Sequence, residues 1–162
     1  MILEWTILIF AWILTACLLF IIPKDRKRIA IVAFLFKQAI TLLFGLAVVE
    51  YNLISYPIRF FSDVNRASFT FEYFAYPTIC GIFVSFYPYY RTRLYKLGYY
   101  ASFCTVLTIP ELLLEKYTDV IEYLHWSWYW TWITLFITLM LSRRFCVWFF
   151  NGLSKEIESL EN

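Results

Sequence analysis

The sequence predicts an all-α fold, an integral membrane bundle of five transmembrane helices. Hydrophobic residues make up 62% of the chain and the mean hydropathy is +0.65, whereas an ordinary soluble domain holds roughly 45–50% apolar residues. The chain also divides into five apolar segments that approach the about 20 residues needed to span a bilayer. These segments are Ile2–Ile22, Ile29–Val49, Phe69–Tyr89, Leu97–Leu114 and His125–Leu141.

Three short basic clusters follow the first, third and fifth segments. They are Lys24–Arg28, Arg91–Lys96 and Arg143–Arg144. Cytoplasmic loops carry the excess of Lys and Arg, so the N-terminus is predicted outside and the C-terminus in the cytoplasm. Residues 1–150 then form the transmembrane domain, and residues 151–162 form a short charged cytoplasmic tail. The lipid bilayer is the first expected partner.

Charge and cysteine content argue against several other classes. The formal net charge is only +2, and the basic residues sit at segment ends instead of on one face, so nucleic-acid binding is not expected. The four cysteines have no Cys-x-x-Cys spacing and suggest neither a disulfide framework nor a zinc site. One histidine and scattered carboxylates do not reproduce a metal-ligand spacing. The sequence therefore predicts no metal and no cofactor.

The fourth segment brings polarity into the bilayer. Cys104, Thr108, Glu111 and Glu115 recur at i, i+4, i+7 and i+11, which places them on one stripe of a helix. Such a stripe must face protein or water. Pro110 should break the helix beside Glu111, and Pro77 should do the same in the third segment by removing the bond to the Tyr73 carbonyl. The breaks either open a shared cavity or only bend the helices.

Lys37 and Gln38 interrupt the second segment near its middle. An unpaired ammonium at that depth is costly, so Lys37 should pair with a carboxylate or extend toward the interface. We hypothesise a pair between Lys37 and Glu111. If Glu111 is unpaired instead, desolvation makes it a candidate proton carrier.

The start of the fifth segment supplies the aromatic part of a candidate site. Ser127, Thr131, Thr134, Thr138 and Ser142 form a hydroxyl stripe on a helix starting at His125, while His125, Trp128 and Trp132 share another face. Membrane anchoring and packing also account for these tryptophans. An acidic site walled by aromatics suits a positively charged or amphipathic molecule. The predicted ligand contacts are Glu72, Glu111, His125, Trp128 and Trp132; Lys37, Gln38, Pro77, Pro110 and Glu115 are structural polar positions.

Two family resemblances bear on this interpretation. Thr108-Ile109-Pro110-Glu111, Glu115-Lys116-Tyr117-Thr118 and the His125–Trp132 block resemble a family of small multi-pass membrane proteins of spore-forming Gram-positive bacteria, with no assigned activity. This implies a bacterial cytoplasmic membrane. The chain is more weakly similar to small-subunit lycopene cyclases, whose Pro-x-Glu-Glu or Pro-x-Glu-Asp motif protonates an isoprenoid. Here three leucines follow Pro110-Glu111, so that motif does not match.

The function expected from these patterns is non-catalytic binding of a small amphipathic or lipid-like molecule in an outward-facing acidic and aromatic cavity. One alternative is a proton-coupled transporter, or a subunit of one, with Glu111 as the proton site. Others are an isoprenoid- or lipid-modifying enzyme with Glu111 as its acid and a structural subunit of a membrane complex. A short bundle with an odd number of helices would need a homo-oligomer or a larger complex to form a transport path.

Overall fold

The computed structural model describes the backbone of residues 2–160 and the side chains of residues 2–151. The protein is all-α except for one pair of two-residue strands. In chain order the elements are α1 (Ile2–Leu19), a 3₁₀ turn (Lys24–Arg26), α2 (Lys27–Glu50), β1 (Ile54–Ser55), a π-helix (Phe69–Ala75), α3 (Tyr76–Ser85), α4 (Arg93–Tyr117), β2 (Glu122–Tyr123) and α5 (Trp128–Leu160).

Within residues 2–160, four of the five α-helices are long and apolar enough to cross a bilayer. The candidate spans are Ile2–Leu19, Lys24–Glu50, Arg93–Tyr117 and Trp128–Asn151. The third predicted segment is different, because a π-helix of seven residues precedes an α-helix of only ten. Pro77 is the second residue of that α-helix, directly after the π-helix.

The fifth helix differs from its predicted bounds at both ends. It begins at Trp128, three residues after the predicted start at His125, because residues 122–123 pair as a strand and the chain must turn afterwards. It then continues without a break to Leu160. The predicted boundary between residues 150 and 151 therefore falls inside a helix.

One end of the bundle is closed by a small β structure, which we call the clasp (β1 and β2). Asn52 has a left-handed φ of 52°, and the Leu53 N–H donates to the Val48 carbonyl, so a Schellman-type turn ends α2 and leads into β1. β1 and β2 pair antiparallel, with Ile54 opposite Tyr123. The clasp thus joins the α2–π-helix connection to the α4–α5 connection.

A buried apolar cluster lies directly beneath the clasp. Its members are Leu8, Val49, Ile54, Tyr56, Ala67, Val120 and Ile121. Leu8 comes from the first half of α1, whereas Val49 comes from the end of α2. The beginning of α1 and the end of α2 therefore lie at the same end of the bundle as the clasp.

The opposite end brings the three basic clusters together. The Nη1 of Arg26 donates to the Ser85 carbonyl at 2.5 Å. The guanidinium carbon of Arg143 lies 3.8 Å from the centre of the Tyr87 ring, and residues 88–91 turn beside them into α4. A second buried cluster around Phe83, Cys80 and Leu139 packs the helices between the two ends.

Both predicted polar stripes face the interior. On α4, Cys104, Thr108 and Glu111 are buried, and Glu115 is half-buried one turn further on. On α5, Thr131 and Ser142 are buried while Thr134 and Thr138 are half-buried. The helix periodicity predicted these faces correctly, except that Ser127 lies just before α5 begins.

Candidate functional site

A cavity of about 220 Å³ lies between α2 and α5, under the clasp. Most of its lining comes from these two helices, with one residue each from the π-helix, α3 and α4, two from the α2–π-helix connection and one from the α4–α5 connection. Its lining residues are Lys37, Ile40, Thr41, Phe44, Gly45, Val48, Ile54, Tyr56, Glu72, Tyr76, Glu111, Trp126, Thr131, Thr134, Leu135, Ile137, Thr138 and Leu141. Two carboxylates and one lysine thus share one largely apolar cavity.

Glu111 accepts three hydroxyl hydrogen bonds. Its Oε2 accepts from Tyr76 at 2.5 Å, and its Oε1 accepts from Tyr123 at 2.6 Å and from Thr131 at 2.8 Å. An ionised carboxylate is an acceptor only, and O–H···O⁻ bonds have these short lengths. Glu111 therefore connects α3, α4, α5 and the clasp through one carboxylate.

The Thr131 hydroxyl extends this network toward the clasp end. Because it donates its single proton to Glu111, it receives a bond from the Trp126 indole Nε1 at 2.8 Å. Trp126 lies between β2 and α5 and lines the cavity. The Trp126 indole therefore closes the cavity wall at the clasp end. It is held by the Thr131 hydroxyl, which itself donates to Glu111.

Glu72 is buried in a much sparser environment. The Tyr56 hydroxyl donates to its Oε1 at 3.3 Å, which is long for an O–H···O bond. Its side chain lies across α2 where that helix has a glycine. A Cβ on Gly45 would come 2.7 Å from the Glu72 Cδ, so Gly45 makes room for this carboxylate.

The π-helix that carries Glu72 is stabilised by polar side chains of α2. Pro77 has no N–H to offer the carbonyls of Tyr73 and Glu72, which lie four and five residues earlier. The Gln38 amide donates to the Tyr73 carbonyl at 2.9 Å, and the Thr41 hydroxyl donates to the Glu72 carbonyl at 2.7 Å. The polar residues of α2 therefore compensate for the proline.

Lys37 is 1% exposed, and its ammonium donates to the Thr138 hydroxyl of α5. The hypothesised Lys37–Glu111 pair is wrong: no ion pair joins them within residues 2–151. The physical reason is that Glu111 is already surrounded by hydroxyl donors, while Thr138 lies beside Lys37. Lys37 and Glu72 line the same cavity.

The two tyrosines of the clasp region remain hydrogen-bond donors. Burial raises the pKa of Tyr56 well above its ordinary value, and the Glu72 carboxylate raises it further. Burial also raises the pKa of Tyr123, and the Glu111 carboxylate adds to that rise. Both phenols therefore keep their protons at neutral pH and can donate to the carboxylates.

The five predicted ligand contacts are not brought together. Glu72 and Glu111 line the cavity, but His125, Trp128 and Trp132 do not. His125 is exposed, with its Nδ1 3.2 Å from the Asn52 carbonyl oxygen. Trp128 is also exposed, while the Trp132 indole donates to Thr105 at 3.2 Å and stacks on Phe136.

Among the cavity-lining residues that sequence reasoning did not assign to a site are Gly45, Tyr56 and Trp126. It also missed Tyr123, which lies outside the lining and donates to Glu111. The strands that place the two tyrosines are two residues long, too short for a recognisable alternation. The one available signal was Gly45, an isolated glycine inside an apolar helix, which often has a packing reason.

Among the residues that the structure describes, no group of three or more His, Cys, Asp or Glu side chains could hold a metal ion. The four cysteines are free, and three of them are buried in the apolar core. The chemistry that the cavity offers is therefore that of carboxylates, hydroxyls, an ammonium and aromatic rings.

Comparisons with known proteins identify no relative. No family model matches the chain, and none of the curated proteins or solved structures matches it. The resemblances to small multi-pass proteins of spore-forming bacteria and to lycopene cyclases therefore stay predictions.

Proposed function

We propose that the chain is a five-helix protein of the bacterial cytoplasmic membrane whose cavity binds a small amphipathic or lipid-like molecule. It acts as a binding or accessory component without catalysing a reaction. The observation that carries the proposal is a cavity with an apolar rim on the bundle surface and buried carboxylates at its base.

The rim lies on the flanks of α2 and α5. Phe44, Ile137 and Leu141 line the cavity although they are 63%, 44% and 41% exposed. Exposed residues that also line a cavity mark its mouth. At the clasp end, Ile54, Tyr56 and Trp126 form the wall instead. A ligand therefore enters sideways from the hydrocarbon, not from the outer aqueous phase as the sequence suggested.

Glu72 is the carboxylate that meets the ligand. Glu111 is committed to three hydroxyl donors, whereas Glu72 has one long bond from Tyr56. The lining holds two carboxyl groups and one amine, so its acidic groups outnumber its basic ones by one. A cationic head attached to an apolar body complements this acidic lining and the apolar rim.

The orientation in the membrane follows from charge. The three basic clusters lie at the end opposite the clasp, and Lys and Arg are enriched in cytoplasmic loops. The clasp then faces outward, with the N-terminus outside and the C-terminus inside. The third span consists of the π-helix and α3 together.

The proposal is tested by mass spectrometry of the lipids and small molecules that copurify with the wild-type protein and with Glu72→Gln. Glu122→Gln is the matched control, since Glu122 is exposed on β2 outside the cavity. We expect one molecule to be lost or strongly depleted only in Glu72→Gln. Identical profiles for all three proteins would reject ligand binding at this carboxylate.

A proton-coupled transporter is the second candidate, because the Glu72 carboxylate accepts only one long hydrogen bond that could stabilise its ionised form. The geometry favours Glu72 over Glu111 as the proton site. In proteoliposomes loaded with the molecule that copurifies with the protein, an imposed pH gradient should then drive its movement across the membrane, and Glu72→Gln should abolish that movement. Movement that is independent of the pH gradient, or equal to that in protein-free vesicles, would reject this candidate.

A further inference from the structure

We propose a second binding site, for the phosphate of an anionic phospholipid headgroup, at the basic end of the bundle. A hollow of about 510 Å³ lies there between the α1–α2 turn and the α3–α4 turn. Arg26 and Arg91 line it together with Tyr87, Tyr89 and Tyr90. It is far from the clasp and shares no lining residue with the α2–α5 cavity.

Backbone and ring contacts hold the cationic side chains in place around this hollow. Arg26 is fixed by its 2.5 Å bond to the Ser85 carbonyl, which uses only one of its N–H groups. Arg143 lies 3.8 Å from the ring centre of Tyr87 and 5.4 Å from that of Tyr89. These cation–π contacts hold the guanidinium against the aromatic wall of the hollow.

Arg143 adds positive charge beside the hollow although it does not line it. It packs on Tyr87 and Tyr89, which do line it, and its Nε is buried without a hydrogen-bond partner among the described residues. Its charge adds to that of the two lining arginines in attracting an anion. Within residues 2–151 the only carboxylate at this end is that of Asp25, 3.7 Å from the Arg26 Nε and well exposed.

A phosphodiester fits this arrangement because guanidinium groups bind phosphate oxygens through parallel N–H bonds. The position favours a lipid as its source. The hollow lies at the helix ends, where Tyr90 is fully exposed and Tyr89 is 44% exposed, as expected of aromatic residues at a membrane interface. Basic pockets between helices on the cytoplasmic side bind anionic headgroups in this way.

The test measures phosphatidylglycerol retained by the full-length protein, by native mass spectrometry after release from phosphatidylcholine nanodiscs containing a minor fraction of phosphatidylglycerol. Arg91→Gln removes an exposed lining charge that is not needed to hold a backbone group. Arg144→Gln is the matched control, being exposed at the same end but outside the hollow. We expect about tenfold weaker retention in Arg91→Gln, for one lost charge-assisted contact, and little change in Arg144→Gln.

Equal losses in both variants, or equal retention of phosphatidylcholine and phosphatidylglycerol, would overturn the site. Inorganic phosphate is added as a separate arm. Displacement of phosphatidylglycerol by millimolar phosphate would show that the site binds free phosphate and not specifically a lipid headgroup. Glu72→Gln should keep phosphatidylglycerol retention unchanged, so failure of the cavity proposal and failure of this one are distinguishable.

Discussion

Glu72 and Glu111 are the same residue type in two different hydrogen-bond environments. Glu111 receives protons from Tyr76, Tyr123 and Thr131, so its lone pairs are largely occupied. Glu72 receives one long bond from Tyr56. Multiple donors make a buried carboxylate a structural connection, whereas a sparsely bonded one remains open to a ligand or a proton.

Glu111→Gln should therefore lower the free energy of unfolding by about 1–3 kcal/mol. The amide nitrogen is a donor, and it would face a hydroxyl that also donates toward this position. The melting temperature in detergent measures this. Glu115→Gln serves as the control, since Glu115 is half-buried on the same helix but outside the cavity. Equal melting temperatures for the two variants would contradict the structural role of Glu111.

Gly45→Ala should reduce ligand retention with only a small loss of stability. The new Cβ would lie 2.7 Å from the Glu72 Cδ, and the flexible carboxylate would move away from its site instead of disrupting the helix packing. Gly98→Ala is the control, because a Cβ there meets no atom within 4 Å and should be neutral or stabilising by about 0.5–1 kcal/mol. Unchanged retention in Gly45→Ala would show that the carboxylate position does not matter.

At the scale of elements, the third helix depends on its neighbour. A π-helix followed by a proline leaves carbonyls without intrahelical donors, which lipid cannot satisfy. Gln38 and Thr41 of α2 donate to those carbonyls. The polar residues in the middle of α2 are thus explained by the backbone of another element, which also orients Glu72 toward the cavity.

Gln38→Leu should cost about 1–3 kcal/mol, because the Tyr73 carbonyl loses its donor. In a Pro77→Ala background the new N–H can bond to the same carbonyl, so the cost of Gln38→Leu should fall by about 1 kcal/mol. A double-mutant cycle of unfolding free energies measures the coupling. If Gln38→Leu lowers the free energy of unfolding equally in both backgrounds, Gln38 does not compensate for Pro77.

At the scale of the whole molecule, the two ends have different chemistry. The clasp end combines short strands, tyrosines and three buried carboxylates, those of Glu4, Glu72 and Glu111, whereas the other end gathers arginines against aromatic rings. Such asymmetry across a bilayer is what the distribution of Lys and Arg predicts for a membrane protein with one orientation.

The orientation is tested with single cysteines and a membrane-impermeant maleimide in intact cells whose outer wall has been removed. Asp63→Cys lies on the exposed connection at the clasp end, and Lys24→Cys lies on the exposed turn at the basic end. We expect the first to be labelled at once and the second only after permeabilisation. Cys17→Ser in both backgrounds removes the one exposed native thiol. The reverse labelling order would show that the true topology is the inverse of the predicted one.

Composition and periodicity alone predicted the helical class, the polar faces of α4 and α5 and the location of the three basic clusters at one end of the bundle. These follow from composition and from a 3.6-residue period, which are local properties of the chain. The conflict between Pro77 and the Tyr73 carbonyl was also readable, because a proline removes a specific donor wherever it stands.

Only the tertiary structure decided how the polar residues are partnered. Lys37 meets Thr138 instead of Glu111, and Glu72 fits against Gly45. The clasp brings Tyr123 to Glu111 by pairing it with Ile54, 69 positions earlier in the chain. Hydrogen bonds between distant segments form only when the donor and acceptor atoms are placed to within a few tenths of an ångström, and no periodicity in the sequence encodes that placement.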